Sequence, residues 1–235
     1  SYTTEEGSIS LERVVIYNCS LLDNGITNFQ DTVIHEIAHQ LIMSGHANLV
    51  DSTAFFNDPT YASKGGCALP FNSSSPNIFS FAPPDGCNVS EYADPFELVL
   101  ALTRGTEYGG FSLFEKERAG WLIPTEQNTS TLRAPGRSSL NLYAHNQVEN
   151  LDDYLIHLKL MKGTAGFYSI EYLTGLSDYP DGDKKVLIRY AFNRGGSDLI
   201  AALSPGEVYS NSADHFSVAF PSGDDTSATV EIEWE

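Results

Sequence analysis

Residues 8–19 read SISLERVVIYNC, a loosely alternating, β-branched stretch that predicts one or two strands, and Asp23-Asn24-Gly25 supplies the turn that ends them. The period then changes. Phe29, Val33, Ile34, Ile37, Ala38, Leu41 and Ile42 recur at helical spacing over more than half of a circumference, which predicts a largely buried helix. Thr27 or Asn28 can cap its start, and Gly45 can end it in the left-handed conformation. Residues 47–90 read as irregular and 92–102 as apolar, and after the break at Gly109-Gly110 a short helix is expected over 113–119. Beyond Trp121-Leu122-Ile123-Pro124 the helical period disappears. Alternating runs follow at 139–144, 154–160, 166–173, 185–192, 199–203, 216–220 and 228–234, separated by Gly, Pro, Asn and Asp. These predict seven or eight strands with one alternating face, hence a β-sandwich. The expected fold class is α+β: a domain over 1–125 in which a buried helix packs on a partial sheet, then an all-β sandwich over 126–235, with the boundary near 124–128.

Composition narrows the function classes. With 235 residues, 41% hydrophobic and 11% aromatic, the chain is long and apolar enough for one large or two modest folded domains. No apolar run approaches the ~18 residues of a membrane helix, so no spanning segment is expected. Thirteen Lys and Arg against 31 Asp and Glu give a net charge of −18, which repels phosphate backbones and argues against nucleic acid as a partner. Only 19% of residues are charged, and the abundance of Ser, Thr, Asn and Gly matches a secreted protein. Ser1 to Glu6 offer neither a basic nor an apolar signal region, so a mature, trimmed or excised chain is expected. The 3 Cys stand at 19, 67 and 87, and the last two flank a Pro/Ser/Asn-rich stretch over 68–86. A Cys67–Cys87 disulfide is expected, with Cys19 left over. Sequons make Asn18, Asn72, Asn88 and Asn128 candidate glycosylation sites.

The chemistry is concentrated in the helical stretch, where residues 35–46 read HEIAHQLIMSGH. On a helix His35 and His39 stand one turn apart on one side, so two imidazoles can reach one tetrahedral metal while Glu36 lies beside them to take a proton from water. Zn²⁺ is the expected ion, because it activates water near neutral pH and polarises a carbonyl, while a carboxylate serves as general base and returns the proton to the leaving amine. That combination is peptide hydrolysis. Without a metal, three imidazoles and a carboxylate on or beside a buried helix would each need a partner of their own. His46 is expected as third ligand ahead of Asp51, since Gly45 can reverse the chain and bring the next side chain back toward the His35/His39 face.

Three segments resemble the metzincin clan of zinc endopeptidases, and within it the secreted gametolysin and immune-inhibitor-A-like peptidases: HEIAHQLIMSGHAN (35–48), EYADPFELVL (91–100) and FSLFEKERAGWL (111–122). Phe167-Tyr168-Ser169-Ile170-Glu171-Tyr172 is similar to a strand early in the β-domain that follows the catalytic domain in those relatives. The resemblance implies a metzincin-like catalytic domain over 1–125, the ligand set His35, His39 and His46, and Glu36 as general base. The clan pattern is HExxHxxGxxH. Here Ile42 stands at the Gly position, His46 follows His39 by seven residues instead of six, and about Val99 occupies the place of the Met beneath the metal. Clan members also have a fuller sheet before the active-site helix, so the expectation includes an N-terminal segment supplied separately or a larger precursor.

An extended peptide substrate is expected to add to the edge strand within 9–17. Tyr92 and Tyr108 could hydrogen-bond an oxyanion, although packing is the preferred reading. Asp178, Asp181 and Asp183 in the turn DYPDGD could hold Ca²⁺, against the simpler reading of a solvated hairpin turn. His145, His157 and His215 show no ligand-like spacing and receive no role, and Glu115-Lys116-Glu117-Arg118 reads as a charged helix face in which Lys116 could pin the helix. The expected function is a secreted zinc metalloendopeptidase. The alternative is a metallopeptidase-like, non-catalytic structural or interaction subunit of an extracellular assembly, motivated by the altered ligand spacing, the missing Met and the short N-terminal region.

Overall fold

A computed structural model of the chain describes residues 2–4, 7–9, 47–52, 87–91, 94, 96, 111–161, 166–175, 184–192, 197–212 and 214–235. Strands β1 (Tyr2–Thr4) and β2 (Gly7–Ile9) form an antiparallel pair by themselves. Next come β3 (Ala47–Ser52), β4 (Cys87–Glu91) and a six-residue helix, α1 (Leu113–Arg118). The remaining strands are β5 (Thr129–Leu132), β6 (Gly136–Tyr143), β7 (His157–Met161), β8 (Gly166–Leu173), β9 (Lys185–Phe192), β10 (Ser197–Leu203), β11 (Glu207–Asn211), β12 (Phe216–Gly223) and β13 (Ser227–Trp234). A seven-stranded sheet has the order β4-β3-β10-β9-β8-β7-β5, and a four-stranded sheet the order β11-β12-β13-β6.

The two sheets meet because their facing strands alternate. In β12 Phe216, Val218 and Phe220 are buried, and in β13 Ala228, Val230, Ile232 and Trp234, with Glu231 and other polar neighbours turned outward. Opposite them the larger sheet presents Leu158 and Leu160 from β7, Tyr168, Ile170 and Tyr172 from β8, and Val186, Ile188 and Tyr190 from β9, all in one core cluster. Aromatic pairs cross the gap: Tyr168 meets Phe216 at a centroid distance of 4.5 Å and Tyr172 meets Phe220 at 5.6 Å.

Seven of these strands lie where alternation predicts them, with β8 and β9 ending at the expected residues. The expected α+β class, however, is not what the described residues form. They are dominated by strands in two packed sheets, and α1 is the one helix among them. Part of the reason lies in 47–90, read from the sequence as irregular. It contributes β3 and β4, which join the larger sheet through a parallel pairing of Ala47 with Ser197 and an antiparallel pairing of Asn48 with Glu91. Strands this short take their stability from lateral neighbours, which leaves little local pattern to read. The helix expected over 27–45 lies outside the described residues. No helix among the described residues is long and apolar enough to cross a membrane.

Candidate functional site

His35, Glu36, His39 and His46 lie outside the described residues, as do Cys19, Cys67, Asn18, Asn72, Tyr92, Val99, Tyr108, the 178–183 turn and most of the 9–17 stretch. Asp51 and Asn88 are paired with each other in the β3/β4 ladder, and Cys87 pairs with Ser52. His215 is exposed in a turn, with φ of 55°. Asn128 is fully buried. Its Oδ1 accepts from the Thr125 amide at 2.8 Å and the Thr129 hydroxyl at 2.9 Å, while Nδ2 donates to the Ile123 carbonyl at 3.0 Å and to Asp152 at 3.1 Å. A glycan on Nδ2 would replace one of those hydrogens at a side chain without solvent access, so the folded chain uses this sequon residue to brace the turn before β5.

The described chemistry is on the second face of the larger sheet, beneath α1. Strand alternation places Tyr168, Ile170 and Tyr172 in the sandwich core, so Phe167, Ser169 and Glu171 face the other way. Neighbouring strands are in register with them. His157 pairs with Glu171, Lys159 with Ser169, and Ser169 with Arg189. Each of these five residues is buried.

Arg189 is the centre of the cluster. Its Nε donates to Asp94 Oδ2 at 2.7 Å and its Nη2 to Oδ1 at 3.4 Å, and Nη1 is ion-paired with Glu171 Oε1. Asp94 in turn accepts from the Phe96 amide at 2.9 Å, folding its segment into a turn around its own side chain. Glu171 Oε2 accepts from the Leu113 amide at 2.9 Å and so satisfies one of the free donors at the start of α1, while Ser112 Oγ accepts from the Glu115 amide at 3.3 Å. At the other end Gly120, with φ of 72°, lets the chain turn so that the Trp121 amide donates back to the Lys116 carbonyl at 2.8 Å. Two carboxylates and one guanidinium thus fasten the 94–96 turn and α1 to β8 and β9. Phe114, packed against Phe167, Ala191 and Met161, adds the apolar part of the contact.

Two histidines complete this face. Lys116 Nζ lies 3.1 Å from His145 Nδ1, and His145 Nε2 lies 3.3 Å from Glu171 Oε2. His157 Nε2 lies 2.8 Å from Ser169 Oγ, and its Nδ1 lies 3.8 Å from Glu117 Oε2, a carboxylate also paired with Lys159. Burial is the main cause holding both imidazoles well below their ordinary range. The charges of Lys116 and Arg189 push His145 further down, and those of Lys159 and His145 do the same for His157. Sequence reading gave these histidines no role, and the structure corrects this: both are buried contacts of α1. The usable signal was register, because alternation puts His157, Lys159, Glu171 and Arg189 on one face, where Asp94 and Glu117 from other segments supply the further carboxylates that pair with the two cations.

A second polar group lies at the edge of the core, where Tyr168 donates its phenol proton to Asp214 and accepts from Asn211 Nδ2 at 3.1 Å. Burial, then the bond to Asp214, raises the Tyr168 phenol far above its ordinary value. Among the described residues no group of three or more His, Cys, Asp or Glu is placed to hold a metal ion. The donor set expected at residues 35–46, three imidazoles and a carboxylate, lies outside those residues. No protein-family model, curated protein or solved structure matches this chain.

Proposed function

We propose that the chain is a secreted zinc-dependent endopeptidase. The observation that carries this reading is the HEIAHQLIMSGH sequence at 35–46, in which His35 and His39 have the i, i+4 spacing of a helical metal pair and Glu36 stands next to the first. In this reading His35, His39 and His46 hold zinc and Glu36 is the general base. Zinc, when bound, supplies a Lewis acid at the scissile carbonyl and lowers the pKa of water toward neutrality. Glu36 takes the proton from the attacking water and delivers it to the departing amine nitrogen, so that one carboxylate serves both halves of the reaction.

The deciding experiment is Glu36→Gln in the full chain, assayed on a denatured protein substrate with bound zinc measured in the same sample. Turnover is expected to fall by at least about a hundredfold, the scale of a lost general base, with zinc stoichiometry unchanged. Loss of zinc to the extent seen in His39→Ala would make Glu36 a ligand and overturn its assignment. For the third ligand, zinc titration of His46→Ala against Asp51→Ala is expected to weaken only the former.

A second reading, a non-catalytic interaction subunit, is favoured by the seven-residue interval from His39 to His46, where the clan it resembles has six, together with the missing Met and the short N-terminal region. Full zinc occupancy with no hydrolysis of any protein substrate would select it.

A further inference from the structure

We propose that helix α1 is an acid-released latch, held on the sheet at neutral pH by the neutral side chains of His145 and His157 and freed when they take up protons. The geometry at His145 sets the direction of the switch. An ammonium group has three donors and no acceptor, so Lys116 Nζ, 3.1 Å from Nδ1, can only donate to a lone pair there. That contact fixes the tautomer, with the proton on Nε2 facing Glu171 at 3.3 Å. A second proton on Nδ1 would turn the Lys116 contact into the meeting of two cations in a buried site.

The groups around each ring give the same sign. His145 faces Lys116 from α1, Glu171 from β8, Arg189 from β9 and His157 from β7, and Arg189 also engages Asp94 of the 94–96 turn. Lys116 and Arg189 thus already place two positive charges beside the ring. His157 faces Glu117 from α1, Ser169 from β8, Lys159 on its own strand and His145. Lys159 already occupies Glu117. A proton on either ring therefore adds a positive charge beside existing cations in a buried contact, and lifting α1 is the motion that readmits water. Lys116 and Glu117 are consecutive residues, one over each ring, so both protonations act on the same turn of α1. The burial of both imidazoles, which keeps them neutral while α1 is seated, supports the same direction. The two-sheet core is on the opposite side of β7, β8 and β9 and does not depend on these contacts.

Hydrogen exchange of the full chain, read by mass spectrometry at pH 7.5, 6.5 and 5.5 and corrected for intrinsic rates, tests this. The reporting amides are Ala119, bonded to the Glu115 carbonyl, and Trp121, bonded to that of Lys116, both at 2.8 Å. Release to an ordinary imidazole value near ~6.5 favours opening by about tenfold per histidine between pH 7.5 and 5.5, so protection of 113–122 should fall about a hundredfold. At every pH it should stay below that of β12 and β13. His145→Asn, whose amide oxygen can still accept from Lys116 but cannot be protonated, should reduce the dependence to about tenfold. The pair His145→Asn with His157→Gln should abolish it. Protection that does not change with pH, that equals that of β12 and β13, or that retains its full dependence in the double variant would overturn the latch. Should the double variant not fold, carbon-detected titration of the wild-type histidines decides: both rings titrating near ~6.5 while α1 stays protected would contradict the proposal.

Discussion

The two faces of the seven-stranded sheet are built from the same strands and hold by different means. Toward the four-stranded sheet, β8 offers Tyr168, Ile170 and Tyr172 to an apolar core, where the free energy comes from area removed from water and is spread over many side chains. Toward α1 the same strand offers Ser169 and Glu171, and the contact depends on a few buried charges with specific partners. On an apolar face a truncated side chain costs its transfer free energy and the cavity it leaves, but strands no charge. On a charged face removal of one partner leaves the others buried with a charge they cannot hydrate. The first face is thus suited to making a stable scaffold, and the second to holding particular segments, here the 94–96 turn and α1, in one arrangement.

The most forceful way to break this comparison is Arg189→Met set against Ile188→Ala, its neighbour on the apolar side. Loss of the guanidinium leaves Asp94 and Glu171 buried without their common cation and should cost about 3–5 kcal/mol. Ile188→Ala should cost about 2–5 kcal/mol through lost transfer and a cavity. The discriminating result is in the second step. Adding Asp94→Asn and Glu171→Gln to Arg189→Met should recover part of the loss in urea unfolding, whereas no polar substitution recovers Ile188→Ala. Lack of recovery would show that Arg189 acts through its bulk and not its charge.

Tyr168→Phe sharpens the boundary between the two regimes. The ring stays in the apolar core against Phe216, while Asp214 and Asn211 lose the phenol. A cost of about 1–3 kcal/mol is expected, and a neutral result would mean that Asp214 is hydrated at no expense. The smallest effect is expected from Arg137→Ala. Its ion pair with Glu233 has side chains 81% and 44% exposed, and its loss should change stability by no more than about 1 kcal/mol and by less in high salt.

The apolar face was legible in the sequence and the charged face was not, for one physical reason. Alternation at 166–173, 185–192 and 228–234 marks which positions share a face, and apolar residues on that face can only be turned inward. Their neighbours Lys159, Glu171 and Arg189 carry the same period but look like solvent-facing residues, since nothing local says that a helix from elsewhere will cover them. The weaker strands were missed for a related reason: β3, β4, β5 and β11 have four to six residues each and are defined by the partners they pair with. Residues 35–46 are the opposite case. The zinc chemistry proposed for them rests on donor type and spacing alone, which need no knowledge of packing. His145 and His157 show the limit of that method, as spacing found nothing in them and their contacts are made across the fold.

The measurement that tests the central claim most directly is zinc content of the purified full chain by elemental analysis, before and after dialysis against a weak chelator. One equivalent of zinc per chain, retained through dialysis and lost in His39→Ala, is the predicted result. Absence of zinc from a folded chain after incubation with the metal, or retention of a full equivalent by the His35→Ala/His39→Ala variant, would contradict it.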